Sequence, residues 1–169
     1  MFQIGDQVVY GPEGVCRVER IETLRVNRKK AAYYVHSPIH REGATIYVPV
    51  ENEQLTARMH RILTEEELAA LLQAAASDAP LWLDDANERR TLYAQVLLSG
   101  DRRELVRLVR TLYARRARLV AQGRHLRSGD DQALRDAERM LNSEFALVLN
   151  IPRHEVPAYV RMQLGLEEK

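Results

Sequence analysis

Several features that mark membrane, secreted or disulfide-rich proteins are scarce in this sequence. No stretch approaches the roughly 20 consecutive apolar residues that a membrane span needs. The first residues lack the basic region and the long apolar run of a secretion signal. The single cysteine, Cys16, cannot form an internal disulfide, which is typical of proteins in a reducing compartment. We therefore expect a cytoplasmic protein.

Motifs for catalysis and metal binding are also missing. The sequence has no glycine-rich phosphate-binding loop and no pair of histidines flanking a glutamate at helical spacing. His36 and His40 are the nearest approach to a metal-ligand pair, but they flank Pro38 in a predicted turn and lack an evident third ligand. Both are interpreted as surface-loop residues, and Cys16 as a small core residue. We expect no enzyme, no cofactor and no metal; a hydrolytic or metal-dependent enzyme is the least favoured alternative.

Positive charge is concentrated in one segment rather than abundant overall. The net charge is only +1, and the contents of 46% hydrophobic and 29% charged residues are typical of a folded protein with a core. Residues 1–56 carry seven Lys or Arg against seven Asp or Glu, whereas residues 102–127 carry nine arginines against one acid, Glu104. Such a local excess attracts anions even where the total charge nearly cancels.

The hydrophobic period divides the chain near residue 57. Upstream, short apolar runs are separated by Gly, Pro and polar turns, with Cys16, Val18 and Ile21 predicted to point inward on one strand. This pattern predicts four or five strands in a small, strongly bent SH3-like β-barrel over residues 1–57. Downstream, apolar residues recur at helical spacing and predict an all-α domain of five helices over residues 58–169. The expected fold class is thus α+β with segregated halves.

The helical half contains clear start and stop signals. Thr64 and Glu67 predict a capping box for a first, partly connecting helix over 64–76, and a break follows near 77–81. Asp101 is expected to cap the third helix. The remaining helices are predicted over about 85–98, over 131–149, and after the prolines at 152 and 157.

Arginines form a stripe along the third predicted helix. Its members are Arg103, Arg107, Arg110, Arg115, Arg116 and Arg118, and Arg124 and Arg127 extend it beyond the helix. A solvated helix face usually mixes Glu with Arg at i,i+4 spacing, but here only Glu104 is available. From the residues alone, a nucleic-acid partner and a plain solvated surface are equally favoured.

Trp82 is the only tryptophan and follows Pro80 at the predicted break. Its ring can close the gap between this segment and the helices, as large amphipathic rings often do. Alternatively, it can act as an apolar wedge in the minor groove of DNA. Because the adjacent Asp84 and Asp85 disfavour close approach of phosphates, chemistry alone favours the packing role.

Five segments, in the same order along nearly the whole chain, resemble the CarD/CdnL family of bacterial transcription regulators. They are GDQVVYGPEGV at 5–15, TIYVPVEN at 45–52, LSGD at 98–101, LVRLVRTLY at 105–113 and ERMLNSEFA at 138–146. The resemblance implies a Tudor-like barrel that binds the RNA polymerase β subunit, partly by strand pairing at an open edge. It also implies a non-catalytic helical domain that contacts DNA at the upstream edge of the melted bubble and stabilises the open complex.

The resemblance assigns residues to both contacts. The expected polymerase-binding residues are Arg25, Ile46, Tyr47, Val48 and Pro49. The expected DNA-binding residues are Trp82, Arg89, Arg90, Arg107, Arg110, Arg115, Arg116 and Arg118. Leu24 and Tyr47 occupy positions where studied members carry basic residues, and Ala86 occupies the position of the family's wedge tryptophan.

Arginine contacts to phosphates predict DNA binding with little sequence preference. A monomer is expected, since no extended heptad seam is present. The alternative function is a protein–protein adaptor that binds polymerase or another protein through the barrel and never touches DNA.

Overall fold

The computed structural model describes residues 1–166 and divides the chain into two units, Met1–Ile62 and Leu63–Lys169. We call them the sheet unit and the helical unit. The division lies after the predicted boundary at residue 57, because the short strand Met59–Arg61 pairs with the first strand of the chain and belongs to the sheet.

The sheet unit consists of five antiparallel strands and one short helix. The strands are β1 (Gln7–Tyr10), β2 (Val15–Val26), β3 (Lys29–Pro38), β4 (Ile46–Pro49) and β5 (Met59–Arg61), and helix α1 (Glu53–Thr56) lies between β4 and β5. Their spatial order is β4-β3-β2-β1-β5. The sheet formed by the described residues is open, with β4 and β5 at its edges, so the predicted closed barrel is not confirmed.

A long hairpin of β2 and β3 dominates this sheet. Asn27 and Arg28 form its two-residue turn, and both have left-handed backbone angles, with φ of 51° and 64°. Cys16 and Val18 are fully buried, as predicted, and burial raises the pKa of the Cys16 thiol to about 12. The pairing register shifts just after Val18, which changes the face that later residues occupy. Ile21 is therefore 43% exposed rather than inward.

His36 is not a surface-loop residue, which corrects the sequence interpretation. It lies on β3 with no exposed surface, and its ring centroid is 5.7 Å from that of Tyr10 and 6.2 Å from that of Tyr34. Neither ring nitrogen has a hydrogen-bond partner within the described chain, and burial lowers the pKa of the imidazole. The strand continues to Pro38, where the sequence suggested a turn, and only His40 is exposed.

The helical unit contains five α-helices. They are α2 (Glu65–Ala76), α3 (Ala86–Ser99), α4 (Arg102–Ala121), α5 (Ser128–Leu149) and α6 (Val156–Gln163), and a 3₁₀ turn (Arg153–Glu155) precedes the last. Together with α1, the part of the chain that the structure describes holds six α-helices; the sequence pattern predicted five, all downstream of residue 57, and did not predict α1.

Side-chain caps fix the starts of α2 and α4. The Thr64 hydroxyl accepts a hydrogen bond from the Glu67 amide at 3.1 Å, and the Glu67 carboxylate accepts one from the Thr64 amide at 2.9 Å. This confirms the predicted capping box. Asp101 caps α4, also as predicted. Helix α5 begins at Ser128, earlier than the predicted residue 131, and Asp130 in its first turn is buried.

The apolar faces of these helices form one core. Its fully buried members include Leu68, Leu72, Leu105, Leu108, Leu112, Leu134 and Phe145. The predicted leucine face of α4 is therefore confirmed, and it leaves the arginines of α4 on the helix's other sides. Among the described helices, none is both long enough and apolar enough to cross a membrane.

Candidate nucleic-acid interface and docking edge

Three arginines of α4 hold the segment that joins α2 to α3. Arg103 donates from Nε and Nη2 to the two carboxylate oxygens of Asp78, at 2.9 and 2.7 Å. Arg107 donates to the Ala79 carbonyl and Arg110 to the Asp78 carbonyl, each at 2.6 Å. The Arg103 guanidinium holds the pKa of the Asp78 carboxyl below its usual range. Three arginines of the stripe are thus already bound to a carboxylate or to carbonyl oxygens outside α4.

Arg89 anchors the next part of the same segment from inside the protein. Its Nη1 donates to the carbonyls of Leu83 and Asp84, at 2.9 and 3.2 Å. Its Nε and Nη2 donate to the carboxylate oxygens of Asp130, at 2.8 and 3.3 Å, and the Tyr93 hydroxyl donates to Asp130 at 2.8 Å. Hydrogen bonding to Asp130 raises the pKa of Arg89, and burial, reinforced by Asp130, raises that of Tyr93. Arg89, an expected DNA contact, is only 4% exposed.

Trp82 lies on the segment that these arginines hold. The guanidinium carbon of Arg115 is 3.5 Å from the centroid of its ring, and that of Arg89 is 4.1 Å away, at distances typical of cation–π contacts. The indole Nε1 donates to Asp84 Oδ1 at 3.0 Å. The half-buried ring also packs against the helical core, so it has the packing role that the residues alone favoured. The wedge role stays a prediction.

The other arginines expected to contact DNA have no hydrogen-bond or ion-pair partners of this kind, although the guanidinium of Arg115 lies over the Trp82 ring. We call Arg90, Arg115, Arg116 and Arg118 the outward arginines. The side chains of these four residues form no hydrogen bond and no ion pair within the described chain. Arg90 and Arg118 are exposed, and Arg116 stands 5.1 Å from the centroid of the Tyr113 ring. The stripe on α4 therefore divides into arginines that hydrogen-bond to the α2–α3 segment and arginines whose guanidinium groups form no hydrogen bond or ion pair within the described chain.

The residues expected to bind polymerase lie mainly on the edge strand β4. Tyr47 is 46% exposed and packs edge-to-face on Tyr33, whereas Val48 is fully buried. The Val50 amide donates to the Ala32 carbonyl at 2.9 Å, which sets the alternation of hydrogen bonds along β4. By that alternation the amide and carbonyl of Tyr47 face the open side of the sheet. Arg25 is exposed on β2 and is separated from β4 by β3.

Sequence reasoning missed Asp78, Thr111 and Asp130 as parts of this arrangement. Each is linked to a residue far away in the chain, and Thr111 accepts from the Leu81 amide at 2.9 Å. Local patterns give no signal for such pairs. Among the described residues, no group of three or more His, Cys, Asp or Glu side chains is placed to hold a metal ion.

Two family models match the chain. The CarD-like/TRCF RID domain matches residues 2–63, and the CarD C-terminal domain matches residues 59–161. The first is an RNA polymerase-interacting domain, and the family comprises transcription regulators without enzymatic activity. The matched ranges cover both units in the order that the sequence suggested. This chain belongs to the CarD family of polymerase-interacting transcription regulators.

Proposed function

We propose that this protein regulates transcription initiation by holding the RNA polymerase β subunit through its sheet unit and promoter DNA through its helical unit. By binding both, it stabilises the open complex, the promoter state to which it binds best. It acts as a monomer in the cytoplasm. The observation that carries the DNA contact is the placement of two outward arginines, Arg115 and Arg118, beside the anchored Trp82.

The outward arginines supply the affinity for DNA. Guanidinium groups that form no ion pair within the protein can bind phosphates and thereby release the counterions of DNA, so the contact is sensitive to salt and nearly independent of sequence. Arg103, Arg107 and Arg110 instead hold the segment that carries Trp82, and Arg89 anchors it from the core. We therefore assign DNA contact to the outward arginines and Trp82, and a positioning role to the others.

The β4 edge supplies the polymerase contact. The outward amide and carbonyl of Tyr47 can pair with an extended strand of the β subunit. Pro49 has no amide hydrogen, and its carbonyl accepts from the Asn52 amide at 3.1 Å. Strand pairing is therefore centred on Tyr47 and ends before Pro49.

The lifetime of the open complex tests the DNA contact. We would measure it with the cognate polymerase on a promoter, with and without the protein, for wild type, Trp82→Ala, and Arg115→Glu/Arg118→Glu. Arg153→Glu is a control that reverses one arginine charge at another exposed site. We expect the wild type and the control to lengthen the lifetime, and the double variant to lose most of that effect while still binding polymerase.

The outcomes separate the proposal from its alternative. If the double variant lengthens the lifetime as well as wild type, the helical unit does not act through DNA, and the adaptor function is favoured. If Trp82→Ala alone has no effect, Trp82 serves packing and the outward arginines carry the contact. If wild type has no effect on several promoters, the proposed function is wrong.

A backbone substitution tests the docking edge. Tyr47→Pro removes an amide that forms no bond within the sheet, so we expect the fold to survive, because edge strands tolerate proline. Binding to the isolated β subunit should fall for Tyr47→Pro and stay closer to wild type for Tyr47→Ala, which keeps the amide. Equal loss in both variants would place the contact in the tyrosine ring rather than in strand pairing.

A further inference from the structure

The hairpin of β2 and β3 extends beyond the other strands of the sheet. Strand β1 pairs with β2 over residues 15–17, and β4 pairs with β3 over residues 33–36. The pairing between β2 and β3 continues from there to the turn, and no other strand of the described chain pairs with residues 23–31. We call residues 23–31 the hairpin arm. It is a two-stranded ribbon without a further strand on either side.

Every charged residue of the hairpin arm is a cation. The four cations are all exposed, and they are Arg25, Arg28, Lys29 and Lys30. The arm thus holds two of the three lysines of the chain, and no acid occurs over residues 23–41. The side chains of the four cations form no hydrogen bond and no ion pair within the described chain. Glu22, the acid that precedes the arm, is paired with Arg20 at 3.0 Å.

Two features of the hairpin arm lower its own stability. Arg25 and Lys30 are direct partners in the pairing register, and like charges at directly opposite positions destabilise a pair of strands. Arg28 has a left-handed backbone, which is unfavourable for a residue with a Cβ. Such departures from the locally favoured sequence are typical of functional sites. Solubility alone does not explain them, because charges of either sign serve it.

We propose that the hairpin arm binds the phosphate backbone of duplex DNA, as a second DNA contact that lies on the sheet unit. Protein–protein interfaces are enriched in aromatic residues and depleted of lysine, whereas the arm holds two lysines and no aromatic residue. Cations of this kind contact phosphates, and the major groove is wide enough to admit a two-stranded ribbon. That the DNA is a promoter rests on the proposed function.

Arg28→Gly/Lys30→Thr is the critical variant, because it removes two cations together with both unfavourable features. Asn-Gly is preferred in the turn, and threonine favours strands. We therefore expect the sheet unit to unfold at a higher urea concentration while the affinity for DNA falls. In titrations of the full chain with a labelled duplex, the slope of log K against log salt concentration should become less steep by about 1.8, since each phosphate contact contributes about 0.9.

Arg17→Thr/Arg58→Gln is the matched control, since it removes two exposed cations of the sheet unit outside the arm. It should bind the duplex with the slope of wild type. An unchanged slope in Arg28→Gly/Lys30→Thr would overturn the proposed contact. An equal loss in the control would overturn it as well, because the effect would then follow from net charge and not from the arm.

The arm and the outward arginines can be tested separately. Adding Arg28→Gly/Lys30→Thr to Arg115→Glu/Arg118→Glu should reduce the slope further, by the same amount as in the wild-type background. If Arg115→Glu/Arg118→Glu alone binds the duplex like wild type while the arm variant loses affinity, the DNA contact of the helical unit is wrong and the arm stands. A loss that occurs only in Arg115→Glu/Arg118→Glu overturns the arm and leaves the proposed function intact.

Photocross-linking identifies the partner of the arm in the assembled complex. The full chain carrying Lys29→p-benzoylphenylalanine, which keeps three of the four cations, would be irradiated on the cognate polymerase with labelled promoter DNA. We expect a cross-link to the DNA. A cross-link to the β subunit and none to DNA would overturn the proposal, and would favour an acidic surface of polymerase as the partner of Arg25 and the rest of the arm.

Discussion

Arg89 and Asp130 form a two-point ion pair in the interior of the helical unit, with nitrogen–oxygen distances of 2.8 and 3.3 Å. The side chain of Arg89 is 5% exposed and that of Asp130 6%. The pair ties α3 to the first turn of α5, and Arg89 also binds two carbonyls of the segment that carries Trp82. The helical fold and the position of the tryptophan thus depend on the same guanidinium.

Removing the cation should destabilise the helical unit strongly. Arg89→Met leaves a buried carboxylate without its partner, which typically costs about 3–5 kcal/mol of unfolding free energy. Urea unfolding followed by far-ultraviolet circular dichroism measures this loss. Arg90→Met, at the exposed neighbouring position, should change stability by no more than about 0.5 kcal/mol.

A double substitution checks the cause of that loss. Arg89→Met/Asp130→Leu removes both charges, so it should be less destabilised than the sum of the two single variants. If the two losses simply add, the ion pair is not what couples α3 to α5.

Helix caps and helix faces could be predicted because they depend on neighbours in the sequence. The capping box at Thr64, the cap at Asp101 and the buried leucines of α4 all follow from spacings within one helix. The strand that contains Cys16 and Val18 could also be predicted from a local pattern, since these two buried residues alternate with solvent-facing residues.

The partners of the arginines could not be predicted in this way. Arg103 binds Asp78, and Arg89 binds Asp130, across long stretches of chain that only the tertiary fold brings together. The number of acidic residues close to α4 in the sequence therefore overestimates the positive charge on this helix that has no partner. The predicted closed barrel was not confirmed for a similar reason. The composition of single strands does not reveal whether the two edge strands of a sheet pair with each other. His36 was misassigned because Pro38 suggested a turn, although the strand continues to it.

The outward arginines and those that hold the α2–α3 segment should affect DNA binding differently. Arg118→Ala removes a phosphate contact, so the slope of log K against log salt concentration should become less steep by about 0.9. Arg103→Ala loosens the segment without removing such a contact, so affinity should fall with little change in slope. Titrations of a labelled duplex at several salt concentrations measure both. Equal slope changes would contradict the division of the stripe.

The hairpin turn offers a stabilising substitution. Arg28 has a φ of 64°, and left-handed backbone costs a residue with a Cβ about 1 kcal/mol or more. Arg28→Gly creates the Asn-Gly pair that two-residue hairpin turns prefer. We expect the sheet unit to gain about 0.5–1 kcal/mol, measured from the intensities of its amide NMR signals against urea concentration. Lys29→Gly, one residue later on β3, should lower stability instead.

His36 should make the stability of the sheet unit depend on pH. Burial between the rings of Tyr10 and Tyr34 lowers the pKa of the folded imidazole below the ordinary 6.5. Below pH 6.5 the unfolded chain therefore binds a proton that the folded chain resists, and the equilibrium shifts toward unfolding. The contribution of His36 to stability is fully present above pH 6.5. It falls as pH drops, by at most about 1.4 kcal/mol per pH unit until the folded pKa is reached.

Replacing the imidazole isolates this contribution. His36→Phe keeps an aromatic ring between the two tyrosines and removes the titrating group, so the pH dependence of sheet-unit stability below 6.5 should flatten. His125→Gln, at an exposed position of the helical unit, should leave that dependence unchanged. Amide NMR signals of the sheet followed against urea at several pH values give the comparison. A slope that persists in His36→Phe would assign the acid sensitivity to carboxylates elsewhere in the unit, because no buried imidazole would then remain to resist protonation.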